Sequence, residues 1–148
     1  MATLVRRLMA PALATALLAG VAGCNKSSTF PTPTLMTEEF SGALDVGGES
    51  FDTFTVEYPF TGTDVTVTVV SLTLAATGAP VTTIGVGFGS ITGETCTRAA
   101  SATQNAANVG QEYTTQNSLF VQGLYCVSVF DTGTLTGTST YVVRVKHY

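Results

Sequence analysis

The chain has no tryptophan, a single histidine and few charges, which together occupy 11% of its 148 residues. Each shortage excludes something. A Ser-His-Asp site needs an imidazole held by a buried carboxylate beside the nucleophile. The one histidine, His147, is the penultimate residue and reads as the solvated end of a last strand. Zinc takes three or four His, Cys or acidic ligands, so one histidine and three cysteines make a zinc centre improbable, and no metal or cofactor is expected. Without tryptophan, stacking on sugar rings falls to Tyr58, Tyr113, Tyr125, Tyr141 and Tyr148. Most of these suit core or edge packing. Tyr113, beside a long polar stretch, is the candidate ligand contact.

Basic residues are scarcer still. From position 24 onward there are four, Lys26, Arg98, Arg144 and Lys146, against ten acids, a net charge of −6. Nucleic-acid binding leaves a basic face or aromatics interleaved with Lys and Arg, and four scattered cations form neither. Helix-favouring composition is also missing, whereas Thr, Gly, Val and Ser abound, as in short strands joined by tight turns.

The first residues have their own logic. Residues 1–7 carry Arg6 and Arg7 and no acid, and residues 8–19 are an apolar run interrupted by Pro11. These are the n-region and h-region of a helical secretory signal. The run falls short of the roughly 20 residues a bilayer core demands. The following Leu18-Ala-Gly-Val-Ala-Gly-Cys24 resembles the lipobox of bacterial lipoproteins. That resemblance implies cleavage before Cys24 and acylation of Cys24, including palmitate-type chains, so that membrane lipid is the first partner. Two or three acyl chains hold a protein durably where one holds only marginally. Asn25, where inner-membrane retention tends to use Asp, implies the outer membrane or cell surface in a Gram-negative host. An ordinary signal peptide followed by a free cysteine is the alternative.

Residues 25–37 are polar and proline-containing, with no period that buries a face, and read as a tether. The expected layout is a signal peptide over residues 1–23, an anchor and flexible tether over 24–38, and one domain over 39–148. Alternation then marks strands. Residues 40–44, a turn at 45–48 and residues 50–58 read as a half-buried hairpin. Residues 64–74 place Val65, Val67 and Val69 on one face before Val70, Leu72 and Leu74 take over in the opposite phase, a slip that signals a bulge or corner. Ile84, Val86 and Phe88 alternate with Gly85, Gly87 and Gly89. Residues 99–110 read as a surface loop, residues 118–122 and 124–130 as two strands around Gly123, and residues 141–146 as the last strand. Seven to eight short strands without covering helices predict an all-β fold, an antiparallel β-sandwich.

With Cys24 assigned to lipid, Cys96 and Cys126 remain as a pair in an exported protein, and a disulfide is expected. A redox pair is the alternative, without a C-x-x-C motif to support it. Glu49 with Asp52, or Glu38 with Glu39, are the closest approaches to a catalytic carboxylate pair. Acids also gather at turns and strand edges for solubility alone. Asp45, Glu49, Asp52, Asp64 and Asp131 fall in or near turns, but no D-x-D-x-D-G calcium loop is present. No helix follows the glycines at 85–89 to make a phosphate site, so they read as a surface onto which a neighbouring sheet or loop closes.

Phe40-Ser-Gly-Ala-Leu44, Gly47-Gly48 and Phe51-Asp-Thr-Phe54-Thr-Val56 are similar to the opening of bacterial pre-peptidase C-terminal domains. Gly123-Leu-Tyr125-Cys-Val127-Ser-Val129 resembles that family's G-x-Y-x-V-x-V strand, and Gly137 through Val143 its final strand at looser spacing. The resemblance covers residues 40–146 and implies a jelly-roll-like β-sandwich, non-catalytic, accompanying secreted enzymes or surface proteins. The family's Asp-rich turn is missing from residues 75–83, so its calcium chemistry does not carry over. The expected function is a lipid-anchored envelope module, not an enzyme, that binds an envelope protein or glycan through loops at one end. A glycan-binding or calcium-dependent adhesion module is the second reading, and a hydrolase the third.

Overall fold

A computed structural model describes residues 34–57, 65–115 and 121–148. Cys24, Tyr58, Asp64 and residues 118–120 lie outside them. Eight strands follow in order: β1 (Met36–Leu44), β2 (Glu49–Val56), β3 (Thr66–Leu74), β4 (Thr83–Thr92), β5 (Thr95–Asn108), β6 (Glu112–Thr114), β7 (Gly123–Phe130) and β8 (Ser139–His147). They form two four-stranded sheets, β1-β8-β3-β6 and β2-β7-β4-β5, with every strand pair antiparallel. The described residues form an all-β sandwich with the strand order of a jelly roll, in which the chain changes layer at every connection except the β4–β5 hairpin.

Alternating apolar residues account for the layers. Val67, Val69, Leu72, Tyr141, Val143 and Val145 from the first sheet face Phe54, Ile84, Val86, Phe88, Val127 and Val129 from the second, all at most 2% exposed. Phe54 and Phe88 meet edge to face at 5.7 Å, a geometry that the aromatic quadrupole favours. The phase slip in β3 is a bulge. Register shifts between Val69 and Ser71, Val70 turns outward to 37% exposure, and Leu72 returns to the core.

Three expectations need correction. Residues 40–58 do not form a hairpin: β1 pairs with β8 and β2 with β7, and the turn carrying Gly47 (φ 68°) passes the chain between sheets. Alternation reports which face a residue takes, not which strand lies beside it. Residues 99–110 are not a surface loop, since β5 runs to Asn108 on the edge of the second sheet. Of the 121–122 portion of the expected strand that is described, neither residue is in β7, which starts at Gly123. In addition, β1 begins at Met36, so residues 36–38 of the expected tether pair with β8.

The disulfide forms as expected, between Cys96 and Cys126 with Cα atoms 5.9 Å apart. It joins β5 to β7 across the intervening β4. Two strand spacings in a flat sheet come to about 9.5 Å, so β5 must curl over its neighbour. Gly89 permits this: a Cβ there would run into the Thr97 carbonyl of β5. Gly85 lies under the Phe130 ring and Gly87 under the Arg98 side chain. The bare stripe of β4 is thus roofed, as the glycine pattern implied, and Ser128 and Cys126 on β7 are wholly buried beneath it.

Candidate functional site

The ends of the sandwich differ in what fixes them. At the end where β1 begins, His147 pairs in register with Met36 and is fully buried. This overturns its reading as a solvated strand terminus. It continues the inward phase of Tyr141, Val143 and Val145, its Nε2 lies 2.7 Å from Glu38 Oε1, and its ring packs 5.1 Å from Phe54. The imidazole therefore orients a carboxylate and closes the core, and among the described residues no hydroxyl or thiol is hydrogen-bonded to it.

At the opposite end, Asp131 gathers the turns. Its carboxylate accepts from Gly47 N at 2.8 Å and from the Gly133, Thr134 and Leu135 amides at 2.9 to 3.1 Å. The Gly47 amide first, opposed by desolvation and then helped by the Leu135, Thr134 and Gly133 amides, holds the acid below the usual carboxylate range. Thr138 Oγ1 donates to Asp45 at 2.7 Å beside it. These acids bind the fold's own donors, and among the described residues no three His, Cys, Asp or Glu side chains converge on a metal position.

The candidate carboxylate pairs are separated by the pleat. Glu38 points inward to His147 while Glu39 points outward to Arg144 at 2.6 Å. Glu49 accepts from Ser128 Oγ at 2.6 Å and lies 3.4 Å from Arg98 on the outer face, whereas Asp52 sits on the inner face of β2. Burial raises the Asp52 carboxyl above its ordinary range. Residues an odd number of positions apart on a strand take opposite faces, so neither pair can flank one bond.

A cleft of about 180 Å³ opens between the edges of β5 and β6. Register shifts create it: four β5 residues, 99–102, stand opposite Phe88 alone between the Gly87–Thr103 and Gly89–Arg98 pairs. Bulges of this kind re-aim side chains and end pairing at functional rims. Val67, Val86 and Phe88 form the floor, and Ser101, Thr103, Gln104, Thr114 and Thr115 stand around it. Tyr113 lines it too, half-buried against the core. Its hydroxyl accepts from Asn108 N at 2.8 Å and lies 3.2 Å from the Ala106 carbonyl and 3.1 Å from Gln111 Oε1. As a ligand contact Tyr113 therefore offers its ring, the hydroxyl being held by the β5–β6 turn.

The Glu38–His147 pair and the β5 cleft escaped the sequence reading. For His147 the signal was present, in its even spacing from Tyr141. For the cleft there was none, because a bulge between edge strands is set by pairing across the fold. No family model matches the chain, and no curated protein matches it.

Proposed function

We propose that the chain is a lipid-anchored protein of the bacterial cell envelope, exported, cleaved before Cys24 and held by acyl chains on that residue, whose β-sandwich is a non-catalytic binding or structural module. The observation that carries this reading is the Cys96–Cys126 disulfide. It fits an oxidising compartment and leaves Cys24 as the one cysteine outside the pair, at the end of a secretory leader with a lipobox-like sequence. β1 starts at the end shared with the C-terminus and with the β2–β3 and β6–β7 connections. The Asp131-ordered turns lie at the other end of the sandwich, and they are the loops through which a partner protein or glycan of the envelope would be met.

The separated carboxylates and the committed imidazole support the non-catalytic part of the reading. Resemblance to pre-peptidase C-terminal domains fits the same role, performed here beside a separate partner. In a Gram-negative host, Asn25 favours the outer membrane. The test is metabolic labelling with an alkyne-bearing palmitate analogue, followed by fractionation. Label in the membrane fraction that Cys24→Ala abolishes is the expected result. An unlabelled protein, or label that survives the substitution, overturns the anchor.

A further inference from the structure

We infer that the end of the sandwich where β1 begins rests on a zwitterionic lipid surface, so that the domain stands on the membrane to which it is anchored. The inference rests on the lipid anchor proposed above and adds the surface through which the anchored domain meets the bilayer.

The first argument is position. Of the eight large apolar side chains left exposed among the described residues, four stand at this end and one, Val46, at the other. Leu35 and Met36 lead into β1, the edge of one sheet, and Val121 and Leu124 stand where β7 begins beside β2, the edge of the other. The two edges touch across the layers, which puts both pairs on one side of the sandwich. All four side chains are between 43% and 65% exposed. An apolar group of this kind marks a contact with a partner or a membrane. Val121 is fixed at the rim, since the Tyr125 hydroxyl accepts from its N–H and donates to its carbonyl, both at 2.9 Å. The Tyr125 ring meanwhile packs 6.1 Å from Phe54. An apolar ring inside with a polar tip at the rim is how tyrosine sits at membrane interfaces.

The tether decides the occupant. Because β1 starts at Met36, only residues 25–35 separate Cys24 from the first strand, a reach of no more than about 35 Å at roughly 3.1 Å per residue. A short link presents this end to the bilayer at an effective concentration on the order of millimolar, an advantage no soluble partner shares. Four side chains too few to recruit a soluble protein to lipid are then enough to seat one already anchored. Charge selects the headgroup. Lys146 pairs with Glu112 and Arg144 with Glu39, each at 2.6 Å, which leaves the exposed Glu57 and Glu94 at this end without a cation among the described residues. Two acids at the rim repel an anionic surface and tolerate headgroups that carry an ammonium group.

The chain has no tryptophan, so one introduced indole is a unique reporter. The full lipoprotein is placed in phosphatidylcholine vesicles with brominated acyl chains, which quench an indole only at short range. Leu124→Trp should be strongly quenched and blue-shifted. Val46→Trp, about 30 Å away, the length of a nine-residue strand, should be neither. Leu35→Ser with Met36→Ser, at two exposed positions, should relieve the quenching of Leu124→Trp severalfold, and so should replacing much of the lipid with phosphatidylglycerol. Equal emission from Leu124→Trp and Val46→Trp, quenching indifferent to the paired serines, or quenching that deepens on the anionic lipid overturns the inference. A protein that labels at Cys24 yet leaves Leu124→Trp unquenched keeps the anchor and loses this surface, whereas one that never labels loses both.

Discussion

The two faces of the β2-β7-β4-β5 sheet are held by different physics. Inward, Phe54, Val86, Phe88, Val127 and Val129 interdigitate with the opposite sheet at 2% exposure or less. Outward, β4 presents glycines, and the roof over them is a disulfide, an arginine and one phenylalanine ring. The inner face is stabilised by apolar area removed from water, a contribution that many residues share. The outer face depends on a covalent link and a few specific contacts. One face should therefore respond to volume changes and the other to reduction and backbone crowding.

The largest expected effect is on the inner face. Phe88→Ala removes a ring that is 1% exposed at the centre of the sandwich, and should cost about 3 to 5 kcal/mol in equilibrium urea unfolding. A value under about 1 kcal/mol would mean the core collapses around the gap and is looser than its burial indicates.

Next comes the disulfide. Closing a loop with a separation of 30 residues should stabilise the fold by about 3 to 4 kcal/mol in the chain-entropy model, so the Cys96→Ser, Cys126→Ser double variant should lose that amount. Gly89→Ala sharpens the comparison. With the disulfide intact, β5 cannot lift off the added methyl, which would meet the Thr97 carbonyl. In the double-serine background the strand is free to rise, and the cost of Gly89→Ala should shrink. Equal costs in both backgrounds would show that β5 lies on Gly89 without help from the disulfide. The coupling is a double-mutant-cycle energy, independent of either absolute value.

A smaller effect is expected at Arg98, whose guanidinium lies 3.6 Å from the Phe130 ring centroid and whose Nε is 3.4 Å from Glu49. Arg98→Met keeps an unbranched apolar chain over Gly87 and deletes the charge. It should cost about 1 kcal/mol, with little dependence on salt if the ring contact dominates and a strong one if the partly exposed ion pair does.

The same contrast explains what the sequence made legible. Period-two alternation marked both inner surfaces, including the β3 slip, because each inward residue there is large and apolar. β5 carries no such mark, since its buried inward residues are only Ala102 and Ala107, and register shifts break its period twice. The hairpin expected of β1 and β2 fails for another reason: jelly-roll partners lie far apart in the chain, and Phe40 pairs with Val143. Local pattern fixes a face, whereas a partner is chosen by the whole layer. Glu38 and His147 are likewise separated by almost the entire domain. The disulfide was legible from cysteine arithmetic alone, but its path over Gly89 was not.

Asp52 tests the inner face from its polar margin. Its strand, β2, is an edge, and an inward acid on an edge is a known guard against pairing with another chain. Burial raises its carboxyl above the ordinary range, and it lies near the Tyr141 hydroxyl, itself pushed up by burial first and by Asp52's charge as a lesser cause. Tyr141 donates to Ser50 Oγ at 2.9 Å, so no donor offsets Asp52 from that side. An acid whose folded pKa lies above its unfolded one, about 3.9, contributes most below the unfolded value. Its contribution falls as pH rises through the window up to the raised folded pKa, and stays low above it. Asp52→Asn should therefore raise Tm at pH 7 by a small amount and leave it nearly unchanged at pH 3. A lower Tm at pH 7 would show that the charge is compensated within the fold. A higher Tm accompanied by new dimers in sedimentation would show that Asp52 trades stability for a closed edge.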